Sequence, residues 1–184
     1  ADNTVSKDYT ITVTDVNEAA TLVLGNTTIS ENSIGGSVGT ITITDPDIGS
    51  GNTLSISGTD KDSFELDGTT LKLKDTVSAN FEADASYSIT LTATDSADNT
   101  VSKDYTISVT DVNETPSALA LSASSFNENA AGASVGILSA TDPDSGETFT
   151  YSISGSDKDS FELSGTTLKL KDSISADFEA DASY

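Results

Sequence analysis

The chain repeats itself at the length of a whole domain. Residues 1–18, ADNTVSKDYTITVTDVNE, return at residues 97–114 with one change, Thr12 to Ser108. DKDSFEL at 60–66 returns at 157–163, TTLKLKD at 69–75 returns at 166–172, and FEADASY at 81–87 returns at 178–184. The offset is 96 residues for the first pair and 97 for the others. That is too long for one turn of a solenoid and fits one small domain with its own core. A chain built this way is a tandem array, and its chemistry is expected at the joints.

Inside one period the apolar residues alternate. Tyr9, Ile11 and Val13 share one face of a run whose other face is Thr10 and Thr12, and the same holds for Leu71/Leu73, Ile89/Leu91/Ala93 and Tyr105/Ile107/Val109. Period two in runs rich in Thr, Val, Ile and Tyr predicts half-buried strands. Seven are expected, near 20–30, 37–44, 53–57, 63–66, 69–74, 86–94 and 101–110. No helical periodicity is long enough for a helix. Seven short strands in about a hundred residues predict an all-β fold of tandem seven-stranded antiparallel β-sandwiches, linked head to tail. The expected divisions are residues 1–18 as the last strand of a preceding repeat, 19–114 as a complete repeat, and 115–184 as a repeat lacking its last two strands. The chain is thus read as a segment of something longer. The connection Asp111-Val-Asn-Glu-Thr-Pro116 is short and stiffened by proline, unlike a flexible spacer.

The charge is lopsided: 30 acidic residues face 8 basic ones, for a net charge of −22. Histidine and cysteine are absent, which removes disulfides, thiol chemistry and the common zinc ligands. Nucleic acid and anionic membrane surfaces would be repelled, and no apolar run approaches the length of a membrane span. The acids gather at predicted strand ends: Glu31, Asp45 and Asp47, Glu82, Asp95, and the Asp111–Glu114 stretch. Alternating strand ends would place Glu31, Glu82 and Asp111 near one pole, and Asp45, Asp47 and Asp95 near the other. Head-to-tail stacking would then bring like charges together. Ca²⁺, which takes six to eight oxygen ligands, relieves that repulsion better than Mg²⁺, which demands stricter octahedral geometry.

These elements together resemble the cadherin tandem repeat, in the bacterial form found in large surface adhesins of the RTX type. Ser30-Glu31-Asn32 and Asn127-Glu128-Asn129 are similar to its Glu-Asn element, and Asn80-Phe81-Glu82 and Asp177-Phe178-Glu179 to its Asp-x-Glu. Asp45-Pro46-Asp47 and Asp142-Pro143-Asp144 are similar to its Asp-x-Asp, Ala93-Thr94-Asp95 to its Ala-x-Asp, and residues 111–116 to its linker. The resemblance implies interdomain Ca²⁺. At the 111–116 joint it implies Glu31, Glu82, Asp111, Asn113 and Glu114, with Asp142 and Asp144 from the next copy. At the 15–18 joint it implies Asp15, Asn17 and Glu18, with Asp45, Asp47, Asn52 (through its backbone carbonyl) and Asp95. Glu128, Asp177 and Glu179 would serve a further joint. The chain departs from the pattern at Asn80, where an amide replaces a carboxylate, at Glu18 and Glu114, each one methylene longer than Asp, and at Glu147, which falls where the first copy has its Gly-Ser-Gly-Asn turn.

The implied function is a calcium-rigidified extender of a secreted, extracellular adhesin at the bacterial cell surface, with neighbouring repeats of the same chain as its partners. The alternative is homophilic adhesion or filament assembly by strand complementation, since residues 1–18 copy a strand of the complete repeat. Outward Thr runs read as ordinary strand surface rather than an ice-binding array, because a twisted sheet is not flat. Paired carboxylates without an aromatic cleft do not make a glycosidase, and no enzyme is expected.

Overall fold

The computed structural model describes residues 1–18, 20–47 and 51–184. The chain divides into two compact units, Ala1–Val112 and Asn113–Tyr184.

Among the described residues of the first unit eight strands form: β1 (Thr21–Leu24), β2 (Thr28–Ser30), β3 (Ser37–Thr44), β4 (Thr53–Ser57), β5 (Phe64–Asp67), β6 (Thr70–Leu73), β7 (Ser86–Thr94) and β8 (Thr100–Thr110). They make two four-stranded sheets, in the orders β1-β3-β6-β5 and β2-β8-β7-β4. The pairing is antiparallel except between β2 and β8, which run parallel with Ile29 opposite Val109. The expected β-sandwich is present, with one refinement. The stretch read as a single strand at 20–30 is two short strands that change sheet. The apolar phase already slips there, from Leu22 and Leu24 to Ile29. At the break, the Asn26 side chain donates to the carbonyls of Thr28 and Val38, both at 2.8 Å. Gly39 makes room for this crossing, since a Cβ there would meet the Asn26 nitrogen at 2.9 Å. The register of β3 against β6 also shifts between Ser37 and Gly39, a bulge that alternation alone does not reveal.

The inward residues of the two sheets form one core. Leu22, Leu24, Val38, Ile41, Phe64, Leu71 and Leu73 come from one sheet, and Ile29, Tyr87, Ile89, Leu91, Ala93, Ile107 and Val109 from the other. Phe64 and Tyr87 meet edge to face at 5.4 Å. Each large side chain buried here contributes about 1.5–3 kcal/mol. Tyr105 ties the sheets at their margin: its hydroxyl accepts the Leu24 N–H at 3.0 Å. The outward side chains of β4–β7–β8 are almost wholly hydroxylic. They are Thr53, Ser55 and Ser57, then Ser86, Ser88, Thr90, Thr92 and Thr94, then Thr100, Ser102, Thr106, Ser108 and Thr110, interrupted by Asp104 alone.

The second unit contains β9 (Ala118–Leu121), β10 (Ser134–Thr141), β11 (Phe161–Ser164) and β12 (Thr167–Leu170), in the order β11-β12-β10-β9. This sheet reproduces β1-β3-β6-β5, down to a matching register shift between Ser134 and Gly136. Residues 150–154, which match β4 in sequence, form no strand. In the first unit β4 pairs with β7, and no strand equivalent to β7 is present among the described residues of the second.

Residues 1–18 carry the sequence of β8 but form no strand. Val5, Tyr9, Ile11 and Val13 are exposed, whereas in β8 the same face lies over the core. The difference is the neighbour: β8 is hydrogen-bonded along its length to β7.

Candidate metal centre

Loops at the sheet ends position the acids. In the first unit Glu31 follows β2 and is buried, at 3% exposure. Its two oxygens accept the backbone N–H groups of Val112 (2.7 Å) and Phe81 (2.9 Å). Glu31 thus pins the end of β8 and the 80–82 loop to the end of β2. A carboxylate has about four lone-pair positions, so two remain for a further ligand. Glu31 and Glu82 offer oxygens within 4.8 Å of each other, and so do Glu82 and Asp111.

A second group of acids lies at the other loops of this unit. Asp45 closes its own turn by accepting the Asp47 N–H at 3.0 Å and also accepts the Asn52 side-chain amide at 3.1 Å. Asp95, buried at 6% exposure, organises the β7–β8 turn by accepting the N–H groups of Ala97 (2.8 Å) and Asn99 (2.9 Å). Residues 17 and 18 dock here. The Asn17 side chain donates to Asp95 Oδ2 at 2.5 Å, and the Glu18 N–H donates to Asp47 Oδ2 at 2.7 Å. The Asn17 hydrogen bond is the largest influence that lowers the Asp95 pKa, with burial opposing it and the turn amides assisting. The Glu18 pKa is raised, first by the Asp47 charge beside it, and Asp15 adds to the effect. Asp15 contributes to this field and has no hydrogen bond among the described residues.

The second unit repeats the docking. The Glu114 N–H donates to Asp144 Oδ2 at 2.7 Å, Asp144 N–H donates to Asp142 Oδ1 at 3.1 Å, and the Asn113 side chain reaches the Glu114 carbonyl at 2.7 Å. Elsewhere in this unit, Glu128, Asp177 and Glu179 offer oxygens within 4.8 Å of one another. Glu128 holds the Phe178 N–H at 2.9 Å, as Glu31 holds that of Phe81. Of the residues implied from sequence, Asn17, Glu18, Asp45, Asp47, Asn52 and Asp95 are therefore brought together in one unit. Glu31, Glu82 and Asp111 gather at a separate place in that unit, and Asn113, Glu114, Asp142 and Asp144 gather in the other. Asn99 was not among the expected residues. It contributes both its backbone N–H and its side-chain amide (3.1 Å) to Asp95, and the Asp-x-x-x-Asn spacing across a hairpin turn is the signal that marks it.

The candidate donors are oxygens of carboxylates and side-chain amides. That suits a hard divalent cation, and in particular calcium with its tolerance of irregular geometry. Four of the eight lysines pair at other places: Lys72 with Glu65 and Asp75, Lys169 with Glu162 and Asp172, and Lys61 and Lys158 with their neighbours Asp62 and Asp159. The Lys72 pKa is pushed up to about 12, chiefly by its hydrogen bond to Asp75. No helix among the described residues is long and apolar enough to cross a membrane.

No family model matches the chain, and no curated protein sequence matches it. Solved structures do resemble it. The human protocadherin-24 EC1-2 fragment, in its form II crystal, aligns with a TM-score of 0.64 at 18% identity, covering 84% of this chain and 80% of that one. A further structure of the same fragment gives 0.62 at 17% identity, over 89% and 81%. Protocadherin gamma B7 extracellular cadherin domains 1–4 give 0.59 at 22% identity, over 88% of this chain and 43% of that one. At such identities the likeness is one of fold: the chain has a cadherin-like β-sandwich architecture.

Proposed function

We propose that this chain is part of a calcium-stiffened extender of a bacterial RTX-type surface adhesin, acting outside the cell and without enzymatic activity. On this reading residues 1–18 are the last strand of a preceding repeat, 19–114 a complete repeat, and 115–184 a repeat lacking its last two strands. The observation that carries the proposal is the repeated docking of a linker onto an acidic turn. Glu18 donates to Asp47 and Glu114 to Asp144, each at 2.7 Å. The linker is thereby held among carboxylates whose mutual repulsion calls for a cation.

At the 15–18 joint Asp15, Asn17, Glu18, Asp45, Asp47, Asn52 and Asp95 would hold the ion. At the 111–116 joint Glu31, Glu82, Asp111, Asn113, Glu114, Asp142 and Asp144 would do so. Bound calcium supplies positive charge that offsets the facing carboxylates. The chain's own part is to present oxygens on turns already fixed by backbone hydrogen bonds, so little ordering remains to be done on binding. Extracellular modules of this kind bind at roughly 10⁻⁴–10⁻³ M. At 10 mM calcium and a Kd of about 1 mM, each site would add about 1.4 kcal/mol. Calorimetric titration tests this. The chain should bind calcium in that range, and Asp144→Ala should lose affinity. A melting temperature indifferent to chelator would refute the proposal.

A second reading rests on residues 1–18. Their exposed Val5, Tyr9, Ile11 and Val13 repeat the β8 face and could add to the second unit of another copy, giving homophilic assembly. Sedimentation decides between the two readings: concentration-dependent polymers favour assembly, and a monomer with and without calcium favours the extender.

A further inference from the structure

In the first unit the segment that opens the sandwich and the strand that closes it lie side by side and run the same way. Leu24 donates its N–H to the Tyr105 hydroxyl at 3.0 Å, the Ser108 N–H donates to the Thr27 carbonyl at 2.9 Å, and the Glu31 N–H donates to the Thr110 carbonyl at 3.2 Å. Between them Thr28, Ile29 and Ser30 pair in parallel with Ser108, Val109 and Thr110. At the far end the Glu31 carboxylate takes the Val112 N–H at 2.7 Å. Residue numbers rise together along the whole contact. β1 in turn is paired to β3, from Thr21 opposite Thr44 to Leu24 opposite Ile41.

This topology fixes how tension crosses the unit. Tension along a polypeptide enters a folded unit at its first strand and leaves at its last. Here the first strand is drawn toward the end where Glu18 meets Asp47, and the last toward the end where Glu31 meets Val112. The two are therefore pulled past one another. Their hydrogen bonds run between the strands rather than along them, so all of them carry the load together. Two strands loaded from the same end would instead separate one pair at a time.

We infer that the parallel β2–β8 pair, closed by Glu31, is a shear clamp that sets the lifetime of this unit under end-to-end tension. β4 lies off that path, at the opposite edge of the same sheet from β2. The clamp itself involves no cation. Its use rests on the extender reading above, in which the chain stands under tension.

The test is constant-force spectroscopy of the whole chain in chelator. The chain has no cysteine, so Ala1→Cys and Ser183→Cys give unique handles. Rupture of the first unit is recognised by release of about 300 Å of chain. Forced unfolding reports an unfolding rate rather than an equilibrium stability. Glu31→Gln should shorten the lifetime of the unit about tenfold or more. Gly58→Ala strains the unit where a Cβ would meet Ile89 of β7, so it should lower the denaturant midpoint. That strain persists until after the clamp has parted, so the lifetime under tension should stay within about twofold. Should Glu31→Gln fail to fold, a second axis carries the test. Ser96 is exposed and adjoins Asp95, where Asn17 docks, so handles at Ala1→Cys and Ser96→Cys load the unit from one end. β1 then peels from β3 pair by pair, and the unit should part sooner at the same force. Equal lifetimes on the two axes, or equal shortening by Glu31→Gln and Gly58→Ala, would overturn the clamp. Chelator removes calcium from every arm, so such a failure leaves the calorimetric test of the extender reading untouched.

Discussion

Glu31→Gln is the most direct probe of how the acidic loops are built. Glu31 is buried and spends both carboxylate oxygens on backbone N–H groups, Val112 at 2.7 Å and Phe81 at 2.9 Å. Glutamine keeps the shape but has one oxygen. In either amide orientation an NH₂ then faces a backbone N–H, so one charge-assisted bond is lost and a donor–donor contact replaces it. A hydrogen bond to a charged group is worth about 1.5–3 kcal/mol. For a domain of this size each kcal/mol moves the melting temperature by about 4–8 °C, so the first unit should melt roughly 10–20 °C lower. The assay is thermal unfolding in chelator, which separates the hydrogen bonds from any ion. Glu128→Gln serves as the comparison. Its carboxylate takes the Phe178 N–H at 2.9 Å, so it should cost about half as much. A drop below about 3 °C for Glu31→Gln would show that this carboxylate does not clamp β2 to the end of β8, and the account of the loop would be wrong.

Other substitutions probe other links. Tyr105→Phe removes the acceptor of the Leu24 N–H and should cost about 1 kcal/mol in chemical denaturation. Gly58 has φ +102°, and a Cβ there would meet Ile89 Cα at 2.9 Å, so Gly58→Ala should destabilise the first unit by about 1–3 kcal/mol. The Asp95 pKa is lowered in the fold, so its carboxylate stabilises the native state above the ordinary value of 3.8 and that stability is lost as pH falls through the depressed pKa. The melting difference between the parent chain and Asp95→Asn should therefore be largest near neutrality and vanish in acid.

Several strands were legible because each keeps one phase of alternation: β4 and β7 begin and end where the apolar pattern does, and β8 begins one residue earlier, while β3 has its expected bounds although its bulge breaks the phase between Val38 and Ile41. The sheet change at residues 25–27 was hidden because β2 is only three residues long, with Ile29 its single apolar residue, and only the phase slip near Asn26 separates it from β1. The parallel partnership of β2 with β8 is a long-range fact that no local pattern encodes. At the acidic loops, residue type and spacing identified the side chains. They did not reveal that Glu31 and Asp95 are also structural clamps, which depends on backbone N–H groups contributed from residues 81, 97, 99 and 112. Asn99 escaped notice because an amide beside a turn looks like turn chemistry until its partner is seen.

The hydroxyl-covered outer face of β4, β7 and β8 separates two tasks that many proteins leave entangled. The outer sheet face draws little of its cohesion from carboxylates, so an exposed loop acid such as Glu82 can change without endangering the body that carries it, unlike the buried clamps Glu31 and Asp95. A gene that duplicates such a module inherits a dependable scaffold and a separate dial. A change in one codon at an exposed loop position leaves the core that carries the loop untouched.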